Sequence, residues 1–236
     1  MRLPHKDQFG KPVGPPVNNW TGCEMPPRCD MIGNHVIVTP VDIARDARQL
    51  FDANQQAGDG SRFTYLPISA FDDLKSYETW LTKMTASSDP MLHTIIDKAT
   101  NTAVGVAAFM RIDTQNGVIE VGNINFSPAL SQTIGATEAM YLMMKRAFDE
   151  LGYRRYEWKC DDKNAPSRAA ATRYGFTYEG TFRNHLVYKG RNRDTAWFSI
   201  TDDEWPAVKT AFETWLSPEN FDEKGNQRKR LQDLRG

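Results

Sequence analysis

Cysteine is scarce in this chain: three in 236 residues, Cys23, Cys29 and Cys160. An odd and low count excludes a scaffold built on disulfides and suits a reducing, cytoplasmic setting. Cys23 and Cys29 have no second Cys/His pair near them, so no zinc site is expected. Histidine is almost as rare, and His5, His35, His93 and His185 form no metal-ligand spacing. Charge of one sign is missing too: 29 basic against 30 acidic residues leave a net charge of −1. A general nucleic-acid binder would usually carry a basic excess. No apolar run approaches the ~20 residues that span a bilayer, and the polar, proline-rich start has no apolar stretch of a secretory leader. There is no GK[ST] loop and no full GxGxxG, which argues against a nucleotide-phosphate enzyme. What is present, 40% hydrophobic and 25% charged residues, is the composition of a soluble globular protein.

Six of the 13 prolines fall within the first 30 residues. Proline lacks an N–H and has a fixed φ, so residues 1–33 read as an extended or partly disordered arm. Residues 34–216 read as one domain. Val36–Val38 is a short strand. Helical spacing follows over Asp42–Asn54, with Asp42 as N-cap, and again over Phe71–Met84. Strands are predicted at Leu92–Asp97, Thr102–Arg111 and Val118–Phe126. A helix then runs from Gly135 to Leu151 and stops at Gly152. Tyr153–Cys160 is a strand, Asn164–Tyr174 a short helix, and Phe176–Phe182, His185–Lys189 and Asp194–Ile200 are strands. Asp203–Leu216 is a closing helix, and residues 217–236 read as an exposed charged tail. Strands mixed with helices, without strict alternation, predict an α/β (α+β) domain with a mixed sheet. No apolar heptad stands out, so the chain reads as a monomer, with a dimer as the alternative.

The stretch with most chemistry is Val121–Thr137. A strand runs through a short loop into a long helix, and the first N–H groups of a helix have no internal partner. They share their position with the positive end of the helix dipole, a ready site for a pyrophosphate. Gly135 allows close backbone approach, and Thr133 and Thr137 add hydroxyls.

Gln132-x-x-Gly135-x-Thr137 resembles the Gln/Arg-x-x-Gly-x-Gly/Ala signature of the GCN5-related N-acetyltransferases (GNAT), with Thr137 at the usual Gly/Ala position. The downstream run resembles the ribosomal-protein-alanine acetyltransferase branch (RimJ/RimL type). It comprises Gly152-Tyr153-Arg154-Arg155, Trp158-Lys159-Cys160-Asp161, Asn164-x-x-Ser167-x-x-Ala170, Tyr174-Gly175-Phe176-x-x-Glu179-Gly180, Phe182-Arg183-Asn184-His185 and Gly190-Arg191-x-Arg193-Asp194-Thr195. The resemblance covers about residues 36–206.

It implies the GNAT fold, a mixed central sheet flanked by helices with a splayed parallel strand pair, here Glu120–Phe126 and Tyr153–Cys160. It also implies acetyl-CoA as co-substrate, a primary-amine acceptor, no metal, and neither nucleic acid nor membrane as partner. Pantetheine would pair with backbone near Phe126, and the pyrophosphate would sit on Gln132, Thr133, Ile134, Gly135, Ala136 and Thr137. Asn164 would hold the pantetheine arm or simply cap its helix. An acceptor amine must lose a proton, and the departing thiolate needs a proton or a hydrogen bond. Ser167 is the group expected near the thiolate. Glu120 is the candidate base or substrate-binding carboxylate, with His185 the other candidate base. Tyr65 is expected to line the acceptor site, while Trp158, Trp197 and Trp205 read as packing. Arg183, Arg191 and Arg193 could reach the 3′-phosphate of CoA or an acidic substrate. The acceptor could be a protein N-terminus or a small molecule; the alternative function is a sensor that binds acyl-CoA without catalysis. Finally, residues 145–193 hold 12 lysines and arginines against six acids. That surplus predicts a basic field on the cofactor side and an acidic one toward the amine.

Overall fold

The computed structural model describes residues 5–56 and 58–235. Its strands are β1 (His5–Lys6), β2 (Pro12–Val13), β3 (Met31–Ile32), β4 (Val36–Pro40), β5 (Met91–Asp97), β6 (Thr102–Asp113), β7 (Val118–Phe126), β8 (Arg155–Asp161), β9 (Thr177–Tyr188) and β10 (Arg191–Thr201). The helices are α1 (Ile43–Gln55), α2 (Leu74–Thr85), α3 (Ile134–Lys145), α4 (Ala165–Tyr174) and α5 (Trp205–Leu216). Eight strands form one sheet in the order β3-β4-β5-β6-β7-β8-β10-β9. Every neighbouring pair is antiparallel except β7 and β8.

Helix starts follow the side-chain chemistry. Asp42 and Asp73 accept the N–H of Arg45 and Ser76, capping α1 and α2. These two helices cover one sheet face over Leu92, Val106 and Ala108. On the other face α3 lies between the sheet and α5, and Gly135–Tyr141 are all buried. A helix enclosed on all sides has no polar stripe to offer solvent. The exception is Glu138, whose carboxylate accepts the N–H groups of Asn34, His35 and Val36 at 2.7, 2.7 and 2.9 Å. This closes the β3–β4 turn, and a Cβ on Gly33 would stand 2.4 Å from the same carboxylate.

The β7–β8 pair decides where a ligand can enter. It is in register only from Val118↔Arg155 to Val121↔Trp158. Beyond Val121 the strands part. Asn123 sits at φ 49°, beside a register irregularity against β6. Such bulges bend a strand away from its neighbour. Gly122 begins this segment because a Cβ there would lie 2.3 Å from the Met110 sulfur.

Several expectations change. The strands predicted at Phe176–Phe182 and His185–Lys189 are one continuous β9. The helix predicted to Leu151 ends as α at Lys145 and continues as a π turn over Arg146–Glu150. The arm to residue 33 contains a hairpin, β1–β2. Its later part is tied down: Trp20 Nε1 donates to the Gln115 carbonyl at 2.7 Å and Cys23 N–H to Thr114 at 2.8 Å. Met31–Ile32 then joins the main sheet. The C-terminal segment is not a free tail. Leu231 is fully buried, and Asn220 binds the Trp215 and Lys229 carbonyls. The apolar residues scattered among its charges supply the contacts that a charge count overlooks. Among the described residues no helix is long and apolar enough to cross a membrane.

Candidate active site

Alternation along a strand sorts its side chains onto two faces. Glu157, Lys159 and Asp161 therefore share a face of β8, while Tyr156, Trp158 and Cys160 share the other. Pairing places Glu120 beside Glu157, Trp197 beside Lys159 and Thr195 beside Asp161. The polar face carries a ladder of alternating charge. Arg111 Nη1 lies 2.7 Å from Glu120 Oε1, and Lys159 Nζ lies 2.9 Å from Glu120 Oε2 and 2.7 Å from Glu157 Oε2. Arg155 continues it, at 2.7 Å from Glu157 and 2.5 Å from Glu179. Lys159 also stands 3.8 Å over the Trp197 ring, so this tryptophan is a cation platform as well as packing.

Glu120 is only 2% exposed. Burial pushes its carboxyl above the usual range, and the neighbouring Lys159 and Arg111 oppose that rise. Each of its oxygens faces a cation, so its first role is to hold charge in place. As a base it would have to give up one of those partners.

A cavity of about 230 Å³ opens on this face. Tyr65, Glu120, Asn164, Ser167 and His185, far apart in sequence, all line it. Tyr65 donates to the Lys163 carbonyl at 3.1 Å and so ties the α1–α2 connection to the β8–α4 turn. His185 Nδ1 lies 3.0 Å from Thr195 Oγ1. With Nδ1 donating, Nε2 remains as an acceptor on the cavity wall.

A second, larger groove of about 950 Å³ runs along the N-terminal ends of α3 and α4. Ile124, Trp158, Asn164 and Ser167 line both spaces. The two meet where β7 and β8 part, which makes the splay a passage through the sheet. Ser167 sits at this junction with its Oγ accepting from Trp158 Nε1 at 3.0 Å. Trp158 thus does more than pack. It occupies an acceptor position of the serine, so the hydroxyl keeps its hydrogen to donate, to the Cys160 sulfur here or to a ligand. Burial pushes the Cys160 thiol up, and the Ser167 hydroxyl only partly offsets this. Cys160 stays a neutral thiol beside the serine.

The larger groove matches a phosphate-bearing chain at its α3 end. Among the described residues, the N–H groups of Gln132, Ile134 and Gly135 have no acceptor. Ala136 N–H is instead taken by the Thr133 hydroxyl at 3.1 Å, which caps α3. The Thr137 hydroxyl accepts from Arg173 Nη1 at 3.1 Å. Both expected hydroxyls are thus engaged with the protein, and the backbone carries the anion site. Gly135 is needed for packing, since a Cβ would lie 2.8 Å from Val36. Asn164 caps α4 through Oδ1, which accepts from Ser167 N–H at 3.1 Å; its Nδ2 has no acceptor among the described residues. The Phe126 carbonyl is not free as expected. Arg62 reaches across to donate to it, and Ser131 Oγ does so at 3.3 Å. The free backbone of the splay is therefore nearer Gly122–Ile124.

Charge is distributed differently from the sequence average. Among the described residues four of the 12 cations of residues 145–193 pair with acids: Arg146 with Glu150, Arg155 with Glu157 and Glu179, Arg168 with Asp162, and Lys159 with Glu157 and Glu120. Of these acids only Glu120 lies outside residues 145–193, so most of the surplus remains. Arg173 is the cation lining the large groove, a residue that sequence reasoning passed over. Arg193 lines the smaller cavity. Arg183 and Arg191 are exposed on β9 and β10 and line neither space. The C-terminal segment, also missed, forms part of the groove wall through Phe221, Asn226 and Gln227. No spacing signal marks these residues. Among the described residues no group of three His, Cys, Asp or Glu is arranged to hold a metal.

The family model described as "Acetyltransferase (GNAT) domain" matches residues 35–177. An uncharacterized N-acetyltransferase p20 of Bacillus licheniformis is 26% identical over 144 residues, covering 60% of this chain and 80% of that protein. Two solved structures are similar throughout. A GCN5-related N-acetyltransferase from Brucella melitensis has 47% identity and a TM-score of 0.91, over 93% of this chain and 99% of that one. A probable acetyltransferase of the GNAT family from Chromobacterium violaceum has 42% identity and a TM-score of 0.77, over 83% and 98%.

Proposed function

This chain belongs to the GNAT acetyltransferase family, and from that premise we propose that it transfers the acetyl group of acetyl-CoA to a primary amine by direct attack within a ternary complex. The acceptor is a protein α-amine, as the likeness of residues 152–195 to the ribosomal-protein branch suggests, or a small-molecule amine. The observation that carries the reading is the junction at Ser167. One groove with free amides and Arg173 suits a pyrophosphate-bearing chain, a separate polar cavity suits an amine, and both open on the same hydroxyl.

Gln132, Ile134 and Gly135 would hold phosphate oxygens through their amides, and Asn164 Nδ2 would hold the pantetheine arm. Bound there, acetyl-CoA supplies an activated acetyl group. Trp158 orients Ser167, and Ser167 donates to the sulfur as the thiolate leaves. His185 Nε2 takes up, through water, the proton that the amine sheds. The ladder through Glu120 and Lys159 holds the cavity's charge without reorganisation.

The test is release of free CoA thiol from acetyl-CoA across a panel of amines and peptides with α-amino termini. Thiol release that depends on an acceptor is expected. Tight CoA binding without such release across the panel would refute the proposal and leave a sensor.

A further inference from the structure

The smaller cavity contains two charges that the protein leaves unmatched. Arg193 makes no ion pair and no side-chain hydrogen bond among the described residues; its Nε is enclosed with no acceptor. The Tyr188 ring lies 5.8 Å from its guanidinium carbon. An enclosed guanidinium nitrogen without a partner is costly, because it has lost water and gained nothing. Asp161 is the complementary case. It is 7% exposed and, among the described residues, faces no cation within ion-pair distance. It is held by two neutral donors, Tyr188 OH at 2.7 Å and Lys163 N–H at 2.8 Å.

The rest of the cavity's charge is already balanced. Glu120 and Glu157 are matched by Arg111, Lys159 and Arg155. The unmatched anion and the unmatched cation are therefore what a ligand meets. Tyr188 touches both, its hydroxyl on Asp161 and its ring under Arg193, so the two charges stand one side chain apart. Asp161 closes β8 just before the turn that carries Asn164 and Ser167, which places the negative pole beside the reacting junction. The space itself is small. At about 230 Å³ it falls below the ~300 Å³ at the lower end of drug-sized ligand sites.

We propose that the acceptor is a small zwitterion, a primary amine carrying a carboxylate on a short chain, with its carboxylate on Arg193 and its amine at Asp161. This rests on the acetyl-transfer reading and narrows its acceptor. A peptide N-terminus would bring a neutral amide to Arg193, whose carbonyl can accept its N–H but leaves the positive charge uncompensated.

The experiment compares the twenty common amino acids with their methyl esters and the corresponding decarboxylated amines, following thiol release from acetyl-CoA. At least one free amino acid is expected to exceed its ester and its decarboxylated amine by about 10- to 100-fold in kcat/KM, the range for loss of a charge-assisted contact. Arg193→Met should raise KM for that amino acid with kcat nearly kept, and bring the acid-to-ester ratio close to one. Arg193→Lys, which keeps the charge but not the planar fork, should restore part of the preference. Esters, simple amines or peptides acetylated as well as free amino acids would overturn the inference and leave acetyl transfer standing. So would an unchanged acid-to-ester ratio in Arg193→Met. No thiol release with any amine, despite CoA binding, would overturn both.

Discussion

Replacing Lys159 by methionine removes one charge from the middle of the ladder and keeps most of the side chain's volume. The lysine side chain is 7% exposed and sits 2.9 Å from Glu120 and 2.7 Å from Glu157. Removing one partner of a buried pair costs ~3–5 kcal/mol, because the remaining charge stays buried and unmatched. Here each carboxylate keeps one other cation, Arg111 on Glu120 and Arg155 on Glu157. The loss should therefore lie at the lower end, about 3 kcal/mol near pH 8. At about 2–4 °C per kcal/mol for a chain of this size, Tm should fall by about 6–12 °C. The pH dependence follows from Glu120. Burial already raises its carboxyl against the pull of Lys159 and Arg111, and without Lys159 it rises further. A carboxyl whose folded pKa lies above its unfolded value contributes stability below the ordinary carboxylate range. That contribution is lost as pH rises through the folded value. The variant and the parent should thus converge toward pH 5 and separate toward pH 8. Urea denaturation at both pH values measures this directly. A loss below about 1 kcal/mol at pH 8, or an equal loss at pH 5 and pH 8, would show that the ladder is not the buried, interdependent unit described.

Ser167→Ala should lower kcat by about 100-fold or more while CoA affinity, read by calorimetry, changes by less than about threefold; wild-type turnover would remove Ser167 from the reaction. Glu138→Gln should cost about 2 kcal/mol in urea denaturation, since an amide cannot accept all three N–H groups of Asn34, His35 and Val36; a change within 0.5 kcal/mol, the usual spread for neutral surface changes, would contradict the clamp. His93 is fully buried against Phe109, and burial lowers its pKa from 6.5 to about 4. The unfolded chain therefore binds the proton more tightly, and up to about 3 kcal/mol of stability should be lost as pH falls from the first value to the second. His93→Leu should flatten the stability profile across that window, and an unchanged slope would refute the assignment.

Much of the fold was legible because it depends on local rules. Helix caps at Asp42 and Asn164, the strand pattern from Leu92 to Phe126, and the stop at Gly152 each follow from a few adjacent residues. The glycine and turn at Gln132–Gly135 marked a helix start with open amides before any coordinates. What was misread had a common cause. Charge was counted along the chain, while pairing occurs across strands. Lys159 counted toward the basic field, yet β7 sets against it Glu120, an acid from outside residues 145–193. The C-terminal segment was read from its charge alone, although Leu231 and Phe221 dock it against the body of the domain.

The sequence by itself indicated the order of elements, because capping, alternation and turn geometry act within a few bonds. Its resemblance to the family supplied the short list containing Glu120, Asn164, Ser167 and His185. Only the tertiary structure decided what those residues meet. It paired Glu120 twice, set Trp158 on Ser167, placed Arg193 on the wall of the smaller cavity, and joined two cavities through the parting of β7 and β8. Contacts of that kind depend on register and burial between segments dozens of residues apart, and no local pattern encodes which charge will find a partner and which will be left for a ligand.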